Sequence, residues 1–89
     1  MRIINSFYIR EIAGETIAIP IGDAVQKFSG IIGLNDVSRF LFERLMTEQS
    51  EETLVSALCD EYDVDEITAR NDIIKFIEQL KFQGVLTED

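Results

Sequence analysis

Apolar residues recur at every second position through the first third of the chain and at every third or fourth position after it. Phe7 to Ile12 and Thr16 to Ile21 therefore read as strands, with Ala13-Gly14-Glu15 as the tight turn of a hairpin. Ile17, Ile19 and Ile21 alternate with Thr16 and Ala18, the period of a sheet with one buried face. Pro20 has no N–H to give to a ladder, so it belongs at an edge or a strand end. Gly22 to Lys27 reads as a loop and Phe28 to Leu34 as a third strand. The period switches within Gly30-Ile31-Ile32-Gly33-Leu34-Asn35-Asp36, where Asn35 or Asp36 can accept hydrogen bonds from the free N–H groups of a new helix.

The first helix spans Asp36 to about Met46 and is apolar nearly all round (Val37, Phe40, Leu41, Phe42, Leu45, Met46), which places it in the middle of the fold. Ser50 is a good N-cap for the second helix, with Glu51 and Glu52 at its positive end. Leu54, Leu58 and Tyr62 form the core stripe of that helix, with Ala57 beside them. Tyr62-Asp63-Val64-Asp65 is a break; Asp65 is set to cap a third helix and Val64 to pack against Ala69. The third helix runs to about Gln83, Gly84 ends it, and Val85 and Leu86 dock the tail. The pattern thus predicts an α+β fold: a three-stranded antiparallel sheet followed by three helices, winged helix-turn-helix-like, in one domain over residues 1–89.

Charge narrows the partners. The 89 residues carry 17 acidic and 8 basic side chains, a net charge of −9. Nucleic-acid binding draws its affinity from neutralising phosphates, so this balance argues against a nucleic-acid partner and against an anionic membrane surface. A basic or peptide partner tolerates it. No signal peptide and no apolar run of membrane-spanning length appears, which predicts a cytoplasmic location.

Candidate chemistry is sparse. Histidine is absent and Cys59 is the one cysteine, so there is no conventional base to activate a nucleophile and no intramolecular disulfide. Cys59 reads as a packed thiol beside the core stripe. The carboxylates Glu48, Glu51, Glu52 and Asp60, Glu61, Asp63, Asp65, Glu66 read as solvated helix ends and caps. Asp63 and Asp65 lack the glycine and glutamate that a calcium loop needs. Gly30 and Gly33 do not lead into the lysine of a phosphate loop. No catalytic residue, metal site or cofactor is expected.

Two features point to binding instead. Ser29 to Leu34 carries neither charge nor proline, the usual blunting of an exposed sheet edge, so the third strand can receive an extended peptide as an added strand. On the third helix Ala69, Ile73, Phe76, Ile77 and Leu80 share a core face, and beside it lies a flank of Arg70, Ile74 and Lys81, with Ile77 at the boundary. Two cations around an apolar centre suit a peptide ligand. A homodimer, formed by strand donation or by swapping the hairpin, would compete for the same edge.

The chain resembles the PqqD-like proteins, whose fold is also called the RiPP recognition element (RiPPs are ribosomally made, post-translationally modified peptides). The resemblance rests on Ile19-Pro20-Ile21-Gly22-Asp23, on Phe28-Ser29-Gly30-Ile31-Ile32 and Leu34-Asn35-Asp36, and on Phe40-Leu41-Phe42-Glu43-Arg44-Leu45. It continues through Thr53-Leu54, Tyr62-Asp63-Val64, Asp72, Phe76-Ile77, Leu80 and Gly84-Val85-Leu86, almost the whole chain. One departure is Phe42, where the family often has tryptophan; that changes packing only. The resemblance implies a non-catalytic peptide chaperone that binds the leader segment of a precursor peptide by strand addition. It presents that peptide to a modifying enzyme, often a radical S-adenosylmethionine enzyme. By position, the peptide-binding residues would be Phe28, Ser29, Gly30, Ile31, Ile32, Gly33 and Leu34, with Arg70, Ile73, Ile74, Ile77 and Lys81. The alternative reading is a winged-helix DNA-binding regulator, which the fold alone brings in. Against it, Glu66-Ile67-Thr68-Ala69-Arg70-Asn71-Asp72 puts acids at both ends of the would-be recognition helix.

Overall fold

A computed structural model of the chain describes residues 1–3, 7–22, 25 and 31–87. In chain order the elements are β1 (Arg2–Ile3), β2 (Phe7–Ile12), β3 (Glu15–Pro20), β4 (Ile32–Leu34), α1 (Asp36–Arg44), α2 (Glu51–Glu61), α3 (Glu66–Phe82) and β5 (Leu86–Thr87). β2, β3 and β4 form an antiparallel sheet in that order, and β1 pairs with β5 in a second, two-stranded one. The expected α+β architecture is therefore present, with one addition. The two-residue strands β1 and β5 tie the chain ends together, and they are too short to leave a periodic pattern. Of the expected third strand, Ile32 to Leu34 is observed; Phe28, Ser29 and Gly30 lie outside the described residues, as does most of the loop before them.

The hairpin register decides which groups of β4 remain open. Ala13 and Gly14 both have positive φ, 54° and 83°, so the turn is a two-residue one of the type I′ kind and Glu15 belongs to the strand. In such a hairpin the closing pair Ile12–Glu15 exchanges both main-chain hydrogen bonds, and so do the alternate pairs Arg10–Ile17 and Tyr8–Ile19. Phe7–Pro20 is then a non-bonded pair, which accommodates the missing N–H of Pro20 at the strand end. The main-chain groups of Thr16 and Ala18 point the other way, to Leu34 and Ile32. Gly33, between those two, directs its N–H and C=O away from β3. Among the described residues no strand pairs with that side of β4.

The buried face of β3 differs from the expected one. Ala18 and Pro20 are buried on the core side, whereas Ile17 lies outside the core cluster, Ile19 is half-buried and Ile21 is 44% exposed beyond the strand. β3 is the central strand, so neighbours on both sides shield Ile17 even on the outer face. Ile32 and Leu34 face the core with Phe7, and their side chains meet the helices.

The helices begin where capping chemistry dictates. Asn35 and Ser38 form a reciprocal capping box at α1, and Ser50 and Thr53 form another at α2. Asp65 accepts from the Thr68 N–H at 2.8 Å to start α3. At the far end Gly84 has φ 75°; its N–H donates to the Lys81 carbonyl and that of Val85 to the Leu80 carbonyl, a Schellman ending. Leu41, Phe42 and Leu45 of the α1 segment, Leu54, Val55 and Leu58 of α2, and Ala69, Ile73, Phe76, Ile77 and Leu80 of α3 close the core. α1 is less enclosed than its composition predicts: Val37 and Phe40 are half-buried and Met46 is exposed after the helix ends. Among the described residues no helix is long and apolar enough to cross a membrane.

Candidate functional site

The open side of β4 faces a groove of about 590 Å³ lined by Gly33, by Asn35 to Ser38 with Leu41, and by Asp72, Lys75, Phe76 and Gln79 of α3. Each wall has a local cause. β4 stops at Leu34 because Asn35 caps α1, so the strand edge and the first turn of α1 meet at an angle. The Tyr62 hydroxyl donates to the Asp36 carbonyl at 3.3 Å, and the Phe40 and Tyr62 rings meet edge to face at 5.8 Å. These contacts hold the start of α1 beside the break that leads into α3. A Cβ built on Gly33 meets nothing within 4 Å, so the outer face of the strand is open at this position.

The structure does not bring the two halves of the sequence-predicted site together. With Ile73 central on the core face of α3, Phe76, Asp72, Gln79 and Lys75 turn to one side at about 100° per residue, and Ile77, Arg70, Lys81 and Ile74 to the other. The first side borders β4 and α1; the second borders α2 and the N-terminal segment. Ile73 and Ile77 are core residues, and Ile74 is half-buried. Lys81 and Ile77 line a separate depression with Met1, Glu48 and Glu51. Arg70 is engaged by three carboxylates: Glu51, Glu52 (2.8 Å) and Glu66 (3.2 Å). A guanidinium held in this way fastens the start of α2 to α3 and is already paired. On β4, Ile32 and Leu34 point into the core; Ile31 is 58% exposed and Gly33 is exposed. The groove is lined on the α3 side by Asp72, Lys75 and Gln79, which the helical period alone did not single out. Nothing in the helical period distinguishes their flank from the opposite one; only packing does.

The carboxylates behave as caps and clamps. Hydrogen bonds from Arg70 and its charge hold the Glu52 carboxyl below its ordinary value of 4.5, and the Thr68 N–H and hydroxyl hold Asp65 below 3.8. A carboxylate depressed in the folded state stabilises the protein above its unfolded pKa and loses that contribution as pH falls through the folded one. The melting temperature is therefore expected to be flat from neutrality to about pH 5 and to fall steadily below 4.5. In Glu52→Gln the neutral-pH melting temperature should be lower and the acid limb shallower. An acid limb identical to that of the parent, followed by circular dichroism, would remove the Arg70 clamp from the account. Cys59 is half-buried against the core, and among the described residues no group of histidine, cysteine, aspartate and glutamate side chains could hold a metal ion.

No curated protein matches the chain. Among solved structures, that of TbiB1 in complex with the TbiA(beta) leader peptide is similar, with a TM-score of 0.72 and 26% identity, covering 100% of this chain and 98% of that one. The family model for coenzyme PQQ synthesis protein D (PqqD) matches residues 13–86, from the hairpin turn to the first residue of β5. With that match spanning β3, β4, the groove and all of α3, the chain belongs to the PqqD family.

Proposed function

We propose that this protein is a non-catalytic adaptor that binds the leader segment of a ribosomally made precursor peptide and presents the peptide to a modifying enzyme. The observation that carries this reading is the edge of β4, unpaired among the described residues, whose Gly33 main-chain groups face out beside a groove floored by Phe76. Family membership supports it, and so does the likeness to a protein solved with a leader peptide bound. The leader adds as a strand to β4 and extends the β2-β3-β4 sheet. Main-chain hydrogen bonds supply affinity, and alternate side chains enter the groove. On the strand side the contacts are the main chain from Phe28 to Leu34; on α3 they are Asp72, Lys75, Phe76 and Gln79 in place of the Arg70 flank. A homodimer built through the same edge would exclude the leader, so the peptide-bound form is free of strand exchange there. A radical S-adenosylmethionine maturase in the cytoplasm is the proposed modifying partner, on the family resemblance. The DNA-binding alternative needs a cationic recognition helix, and the one arginine of α3 is bound up by Glu51, Glu52 and Glu66.

Titration calorimetry with a leader peptide encoded beside this gene tests the reading. Gln79→Trp, which fills the groove, should weaken binding by about tenfold, roughly 1.4 kcal/mol. Ile74→Asp, on the opposite flank, should leave the dissociation constant within about twofold. A response to Ile74→Asp but not to Gln79→Trp would place the ligand against the Arg70 flank. No heat with any leader would end the adaptor reading.

A further inference from the structure

Lys75 is exposed on the groove wall next to the buried ring of Phe76, and among the described residues it forms no ion pair. Three other cations of this acidic chain are engaged. Arg39 bonds Glu11 at 2.9 Å and lies 3.7 Å from Glu43, Arg70 is clamped by its three glutamates, and Arg44 stacks over the Phe40 ring at 5.3 Å. Among the described residues, the charged groups that share the groove with Lys75 are Asp72, one turn earlier on α3, and Asp36 at the start of α1. Neither forms an ion pair with it. The α1 end of the groove is thus anionic, and a cation on a flexible stem stands about 4.5 Å farther along the helix axis.

We infer that Lys75 makes the groove selective for a leader carrying a carboxylate side chain two residues from an apolar one. The inference rests on the peptide-binding reading above and adds to it the chemistry of the ligand. A strand added to β4 turns every second side chain toward α3, so the two side chains that meet Phe76 and Lys75 are two positions apart. A strand advances about 3.3 Å per residue. Sliding the leader by two residues, about 6.6 Å, keeps the same side chains facing α3, and toward the start of α3 it carries the carboxylate from Lys75 to Asp72 and Asp36, where it is repelled. The same three charges that choose an acidic leader also set its register along β4.

A displayed library of random peptides, selected on the immobilised full-length protein, tests this. Enriched peptides should share an aspartate or glutamate two positions from a large apolar residue. Lys75→Glu, at an exposed site outside the core, should bind those peptides about tenfold more weakly at low salt and should itself enrich lysine or arginine at the acidic position. Enriched peptides without an acid, or with the same acid after selection on Lys75→Glu, would overturn the inference and leave strand addition standing. Failure to enrich any peptide over a Gly33→Pro control would overturn strand addition, and the inference with it.

Discussion

Gly33→Pro is expected to weaken leader-peptide binding by at least about tenfold while the protein stays folded. The register assigns the Gly33 N–H and C=O to the open side of β4, so proline there removes no hydrogen bond of the β2-β3-β4 sheet. Ile32 before it is extended in the strand, which suits a residue preceding proline, and a Cβ at Gly33 meets nothing within 4 Å. What the substitution removes is a donor that an added strand needs, and its ring stands where the neighbouring backbone would lie. Each lost main-chain bond is worth about 0.5–1.5 kcal/mol, and the steric block adds to it. Calorimetry with the leader, alongside a thermal melt, separates the two effects. A melt close to that of the parent with unchanged affinity would mean that the peptide does not pair with β4.

Phe42→Ala should be the most damaging single change to the fold. Phe42 is 0% exposed and its ring meets that of Phe7 edge to face, centroids 5.6 Å apart at 85°, so it joins α1 to the first strand of the sheet. Truncating a buried phenylalanine costs about 3–5 kcal/mol. A domain of this size has on the order of 5–10 kcal/mol in total. Urea denaturation should therefore show a midpoint reduced by a third or more, and leader binding should fall with the folded fraction. Phe42→Trp, toward the residue the family often carries, adds volume to a full core and should cost about 1–3 kcal/mol unless neighbours shift. A loss under about 1 kcal/mol for Phe42→Ala would mean that the sheet and α1 are held together elsewhere.

The element boundaries were legible because they rest on local chemistry. Asn35, Ser50 and Asp65 cap helices whose N-terminal N–H groups have no other partner, and Gly84 takes the left-handed conformation that ends α3. The alternation through Phe7–Ile12 and Thr16–Ile21 marks strands for an equally local reason, since side chains alternate faces whatever they pack against. Which face of β3 is buried was less legible. Isoleucines at Ile17, Ile19 and Ile21 outweigh Ala18 and Pro20 in any hydrophobicity count, yet Ala18 is the residue with no exposed surface. The core beside Phe7, Ile32 and Leu34 leaves space there for a small side chain.

The candidate site divides along the same line. An unblunted third strand is a property of the residues from Ser29 to Leu34 and was visible without a fold. The choice between the two flanks of α3 was not, because a helix presents both at the same period. Arg70 with Ile74 looked like a binding surface in one dimension. In three, Glu51 and Glu52 at the start of α2 come to Arg70, and β4 comes to Asp72, Lys75 and Gln79. The amino-acid order by itself determined the elements, their caps and the open strand, since each depends on neighbours a few residues apart. Only the tertiary structure decided which helix flank the strand faces, because that follows from where α2 and β4 dock on α3, and docking is set by long-range burial.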